Sequence, residues 1–182
     1  MSKQVLVPIS DGVEELEAIT IIDVLRRAGA EVTVASTNED LAVVASRGVK
    51  LVADAPISVC VCNKYDLVVL PGGMPGAEHL RDCPEVAEIL KRQRCHGKYY
   101  AAICASPAVV LAHHGLLPGK ATCYPAMQEM LGDSAVDQTV VIDGLCVTSQ
   151  GPGTAMEFAL VLTELLFGEE KRTEIAQGML VK

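Results

Sequence analysis

The chain has no tryptophan, only two phenylalanines and only four tyrosines among 182 residues. Half of it is nonetheless hydrophobic, so alanine, valine, leucine and isoleucine must fill the core. Small aliphatic cores suit a parallel sheet covered by helices, whose strands are buried on both faces. At this length such a core needs neither disulfides nor a structural metal, and no metal or organic cofactor is expected. Basic clusters are missing too. No run of five or more Lys and Arg occurs, and the net charge is −8, which argues against nucleic acid as a direct partner. No apolar run reaches the roughly 18–20 residues of a membrane span. The first strand candidate, "KQVLVPI", begins at residue 3, so no signal peptide is expected. The seven cysteines are odd in number and cannot all pair within one chain. Their spacings fit neither a zinc site nor C-x-x-C. Reduced thiols and a cytoplasmic location are the expectation.

What is present alternates between two periods. Short β-branched runs at 4–9, 31–36, 66–71, 99–104, 139–143 and 145–149 predict strands. Apolar residues at helical spacing predict helices over 15–28, 84–96, 105–114 and 154–167, with a last one near 169–178. Glycines at 29, 97, 115 and 168 close the first four. The runs "AVVAS" and "KLVAD" flank Arg47-Gly48 and predict a small hairpin. Strand–helix–strand alternation predicts one α/β domain over residues 1–182, with a mostly parallel sheet and helices on both faces.

In such sheets, ligands bind at the carboxyl ends of the strands, where four unusual stretches fall. "DGVEELEA" follows the first strand. Glu14 and Glu15 suit a helix start, whereas Glu17 lies too far into the helix for that explanation. "LPGGMPGAEHL" reads as a loop in which Gly72 and Gly73 permit close approach to a ligand. Adjacent N–H groups there suit an oxyanion. Neither G-x-G-x-x-G nor a P-loop lysine accompanies it. "AAICASP" sets Cys104 between a strand and a helix, with Ala102, Ala105 and Ser106 small enough for a nucleophile elbow. A helix start is expected to lower the thiol's pKa. The other six cysteines read as inert. "TSQGPGTAMEFAL" leads through Gly151-Pro152-Gly153 into a helix with Thr154 as its expected cap, and forms a candidate pocket wall. The four histidines show no spacing that marks a base for Cys104.

Taken in order, "GVEELEA", "VLPGGMPGAEHL", "AAICASPAVVLA" and "TSQGPGTAMEFAL" resemble the DJ-1/ThiJ/PfpI superfamily over nearly the whole chain. The branch they resemble is that of the Parkinson-disease protein deglycase and its bacterial and plant relatives. The resemblance implies a flavodoxin-like three-layer sandwich and a homodimer. It implies Cys104 as reactive cysteine, Glu17 as the acid bonded to it, and Gly73 and Ala105 as oxyanion donors. Glu14 and Arg47 would line the pocket. The implied activities are a glutathione-independent glyoxalase and a deglycase of methylglyoxal- or glyoxal-modified amines and thiols. Redox sensing with chaperone activity is the alternative. Amidase or peptidase activity is disfavoured, because Ala105 stands where the protease-like branches carry a histidine. Tyr124 replaces a second family histidine, and a phenol with a reference pKa of about 10 is a poor base at neutral pH.

Overall fold

A computed structural model describes residues 2–181. The chain runs β1 (Gln4–Ile9), α1 (Glu15–Arg27), β2 (Glu31–Ser36), β3 (Ala42–Val44), β4 (Lys50–Val52), β5 (Ala55–Pro56), β6 (Leu67–Leu70), α2 (Gly76–Asp82), α3 (Pro84–Cys95), β7 (Tyr99–Ile103), β8 (Val140–Asp143), β9 (Cys146–Ser149), α4 (Ala155–Phe167) and α5 (Glu169–Gly178). Seven strands form one sheet in the order β5-β2-β1-β6-β7-β9-β8. All neighbours are parallel except β8 and β9. β3 and β4 pair antiparallel as a separate arm, as the Arg47-Gly48 turn predicts.

Two apolar layers sandwich the sheet. On one face Val5, Val7, Val69 and Ile103 meet Ile21 and Leu25 of α1 and Phe158 and Leu162 of α4. On the other, Leu6, Val68, Leu70 and Ala102 meet Leu80 of α2 and Ile89 and Leu90 of α3. Alternate residues of each strand thus serve opposite faces, and both are apolar. This is a flavodoxin-like α/β fold. α5 packs outside, through Ile175 against Val24 and Leu160. Among the described residues, no helix is long and apolar enough to cross a membrane.

Several expectations need correction. The glycine-rich stretch is not all loop: α2 starts at Gly76, and His79 lies on that helix. The helix expected over 105–114 is present but wound wide at its centre: Pro107–Leu111 is a π-turn, with Ala112 N–H donating to the Pro107 carbonyl five residues back, flanked by four-residue bonds from Val109 N–H to the Ala105 carbonyl and from His114 N–H to the Val110 carbonyl. Residues 125–134, which carried no expectation of structure, form 3₁₀ turns broken at Gly132. Thr154 does not cap α4 with its side chain. Its Oγ1 instead accepts from Gly151 N at 3.1 Å and shares a hydrogen at 2.6 Å with Ser149 Oγ. That polar knot ties the end of β9 to the turn that enters α4.

Candidate active site

β1, β6, β7 and β9 lie side by side, so their carboxyl ends deliver four segments to one place. Cys104 follows β7 directly and has φ +62. A non-glycine residue in the left-handed region carries backbone strain of about 1–2 kcal/mol. The strain is held by neighbours: Cys104 N–H donates to the Ser149 carbonyl at 3.0 Å, and its carbonyl accepts from Tyr124 N–H at 2.8 Å. The sharp elbow expected from the small flanking residues is therefore present, and it turns the half-buried thiol toward a cavity of about 380 Å³.

Glu14, Arg47, Gly73, Cys104, Ala105, Tyr124 and Pro152 all line that cavity. Glu17 and Gly72 lie beneath it. Glu17, on α1, is fully buried, and its Oε2 accepts from Gly72 N–H at 2.7 Å. Its Oε1 is buried without a hydrogen-bond partner. Gly72 is confined on three sides: a Cβ there would lie 2.6 Å from Cys104 Cβ, 2.9 Å from Glu17 Oε2 and 2.9 Å from the Ile103 carbonyl. Gly73 has φ +92, and a Cβ there would strike the Glu14 nitrogen and the Gly12 carbonyl. The two glycines thus serve different needs, close approach at the first and a left-handed backbone at the second.

The β3–β4 arm supplies the remaining wall. Gly12 N–H donates to the Val44 carbonyl and Ser46 N–H to the Val13 carbonyl, each at 2.8 Å. The Ser46 hydroxyl lies 2.7 Å from Glu14 Oε2 and 2.9 Å from Glu15 Oε2. Arg47 N–H donates to Glu15 Oε1 at 2.9 Å. These bonds fix the arm over the start of α1 and bring exposed Arg47 to the rim.

Electrostatically, Glu17 and Cys104 form one unit. Burial pushes the Glu17 carboxyl up to about 7, against the Gly72 N–H that favours its charged form. Burial first, and then the adjacent Glu17 carboxylate, push the Cys104 thiol up to about 12; hydrogen bonds from Gly73 and Ala105 N–H pull the other way. A thiol lowered by a helix start was the expectation, and the fold corrects it. The thiol is half-buried and sits beside a carboxyl, and together these outweigh the N–H groups that face it. The first proton leaves the pair near pH 7, and which atom gives it up is a property of the pair. A proton on Glu17 Oε1 would give that oxygen a donor to direct at the thiolate. Then Sγ would keep the negative charge, facing two N–H groups.

Sequence reading missed three lining residues: Ser46, Met74 and Met127. Ser46 precedes Arg47, and Met74 lies inside the glycine stretch, so position alone singled out their neighbours. Met127 sits two residues beyond Pro125 in the unanticipated 3₁₀ segment. No histidine lines the cavity. His79 Nδ1 lies 3.0 Å from the Asp11 carbonyl, His96 Nδ1 2.9 Å from the Arg92 carbonyl and His114 Nε2 2.9 Å from the Arg81 carbonyl.

Comparison with known proteins gives a consistent result. The family model described as "DJ-1/PfpI family" matches residues 3–165. Protein DJ-1 homolog B of Arabidopsis thaliana is 51% identical over 180 residues, covering 98% of this chain; the chain spans only 41% of that relative's length. The glutathione-independent glyoxalase DJR-1.2 of Caenorhabditis elegans is 37% identical over 181 residues, covering 98% of this chain and 95% of the relative. Among solved structures, oxidized Toxoplasma gondii DJ-1 superposes with a TM-score of 0.97 at 48% identity, covering 98% of each chain.

Proposed function

This chain belongs to the DJ-1/PfpI family, and we propose that it is a cysteine-dependent, glutathione-independent glyoxalase and deglycase. Its substrates would be methylglyoxal, glyoxal and their early adducts on amines and thiols. The observation that carries this reading is the strained Cys104 thiol, set between a buried Glu17 carboxyl and two N–H donors at the floor of a cavity.

The steps follow from that arrangement. The Cys104 thiolate adds to the aldehyde carbon of methylglyoxal, forming a C–S bond. The new oxyanion meets Gly73 and Ala105 N–H. Glu17 gives its proton to that oxyanion as acid, then as a carboxylate takes the proton from the former aldehyde carbon and returns it to the former ketone carbon. A pKa near neutrality suits both directions. Water then cleaves the thioester, releasing lactate and the thiol. The sum is methylglyoxal plus water to lactate, with oxidation at one carbon balanced by reduction at its neighbour. Tyr124, 45% exposed at the rim, contributes a hydroxyl for hydrogen bonding to substrate.

Lactate formation by wild type, Cys104→Ala and Glu17→Gln tests the proposal. Both variants are expected to lose nearly all turnover. Lactate made at the wild-type rate by Cys104→Ala would remove the thiol from the chemistry.

The working unit would be a homodimer. Leu16 and Ile19 on α1 and Val44, Val49 and Val52 on the arm are apolar and 47–76% exposed. Bonds from Ser46 and Arg47 to Glu15 hold the arm against the start of α1. Apolar exposure on two adjoining elements is what an interaction surface requires. Light scattering is expected to report a dimer, and a monomer for Ile19→Asp. Protection of cytoplasmic components against carbonyl and oxidative stress is the role that such an activity would serve.

A second reading involves the same thiol. Two equivalents of hydrogen peroxide would oxidise the Cys104 thiolate to a sulfinate with release of two waters, placing its oxygens beside Glu17, whose unpartnered Oε1 gains an acceptor once protonated. In that state the protein would signal or act as a chaperone.

A further inference from the structure

The cavity at Cys104 has a neighbour. Met74 and Met127 line it and also line a second hollow of about 340 Å³, whose walls include Ala108, Val109 and Met130 together with the polar Glu78, Arg81 and His113. Three of the chain's six methionines therefore converge here. They come from the loop before α2 and from the 3₁₀ turns at 125–134. Met127 and Cys104 pack against the same small cluster, Ala77, Ala105 and Val109, so the hollow adjoins the nucleophile. Methionines often fill gaps in a core, but Met74 is 42% exposed and Met130 55% exposed. Unbranched and polarizable, such side chains adapt to apolar groups of varied shape. Small residues behind them, Ala108 and Ala112, leave the space open.

We propose that this methionine-lined hollow receives the apolar substituent of a 2-oxoaldehyde, R–CO–CHO, whose aldehyde carbon bonds to Cys104. The inference rests on the glyoxalase reading and names its substrate class: 2-oxoaldehydes carrying branched alkyl groups, in addition to methylglyoxal. The chemistry is unchanged by R. The substrate and one water give R–CHOH–COOH, by C–S bond formation, proton transfer between the two carbons, and hydrolysis of the thioester. No external oxidant or reductant takes part. Met74 and Met127 stand between the two spaces, and Met130 contacts only the outer one, which makes Met130 the residue that senses the length of R.

The test compares 4-methyl-2-oxopentanal with methylglyoxal. In Met130→Glu, the ratio of their kcat/KM values should fall on the order of tenfold, the discrimination that an apolar subsite gives for small hydrocarbon differences. An unchanged ratio overturns the inference. A second measurement is independent of turnover. With ¹³C-methyl methionine, the unreactive acid 2-hydroxy-4-methylpentanoate should shift the signals of Met74, Met127 and Met130. Met156 and Met179, packed at α5, should not move. Lactate should leave Met130 unmoved. If the branched acid also leaves Met130 unmoved, the hollow is not the subsite. Failure of the glyoxalase reading itself looks different: Cys104→Ala would still form hydroxy acid, while the methyl shifts would still decide the hollow.

Discussion

Glu17→Gln should make the protein more stable as pH rises, relative to wild type. In the unfolded chain the carboxyl ionises near its ordinary value of 4.5, whereas in the folded protein it does so near 7. Between these values the folded state holds a proton that the unfolded state has released. Wild-type stability from this group is therefore fully present below 4.5 and is lost as pH rises through 7. At about 1.4 kcal/mol per pH unit, that interval amounts to about 3 kcal/mol. Glutamine has no such dependence. It can accept from Gly72 N–H as Oε2 does and can present an amide donor toward Cys104. The stability difference between variant and wild type should consequently grow by about 3 kcal/mol from pH 4.5 to pH 8. The ionisation of Cys104 does not disturb this, since its folded and unfolded values both lie above that window. Urea unfolding at a series of pH values, followed by far-ultraviolet circular dichroism in this tryptophan-free chain, reads it directly. A difference that stays constant from pH 4.5 to 8 would show that the carboxyl ionises normally, and the account of the pair would fail.

Gly72→Ala should cut turnover on the order of 100-fold, because its Cβ must displace Cys104 or Glu17 by a few tenths of an ångström or more. Denaturant titration of the same variant should show a loss of about 1–3 kcal/mol from overpacking; wild-type kinetics would mean that the site yields freely. Tyr124→Phe should reduce lactate formation by no more than about tenfold, the worth of one hydrogen bond. A loss matching that of Cys104→Ala would make the phenol part of the chemistry. Alkylation of Cys104 by limiting iodoacetamide, followed by peptide mass spectrometry, should rise with a midpoint above about pH 9, because burial and the charged Glu17 hold the thiol up. A midpoint near 7 would mean that the first proton lost by the pair comes from the sulfur.

Much of this site could be read from residue order. The strand run "QVLVPI" is apolar on both faces, with Val5, Val7 and Ile9 on one and Leu6 on the other, and a doubly covered parallel sheet is the arrangement that buries both. The elbow was legible because small residues crowd Cys104 on either side. Glu17 was singled out as lying too far into its helix for a dipole explanation, and that premise needs correction: α1 begins at Glu15, so Glu17 is in its first turn, and complete burial rather than position sets it apart. Other features depend on tertiary context. α2 is seven residues long and opens with glycine, too short for a periodic pattern. Pro107, with no N–H of its own, begins a π-turn inside the expected helix, and burial beside Glu17 outweighs the helix start at Cys104. The convergence of Met74 with Met127 and Met130 spans more than fifty residues of chain, and no local rule relates them.

The backbone of Cys104 has a consequence for how this fold diversifies. Both of its peptide groups are engaged by main-chain atoms, of Ser149 on one side and Tyr124 on the other. Neither bond involves the sulfur. The turn is thus a socket whose shape is maintained by the frame, and the side chain is a plug. Exchanging the plug alters reactivity while leaving the frame's wiring in place. The same holds for residue 105, whose contribution toward the thiol is an N–H that every residue but proline carries. Lineages built on such a socket can change their chemistry through single substitutions without passing through unfolded ancestors.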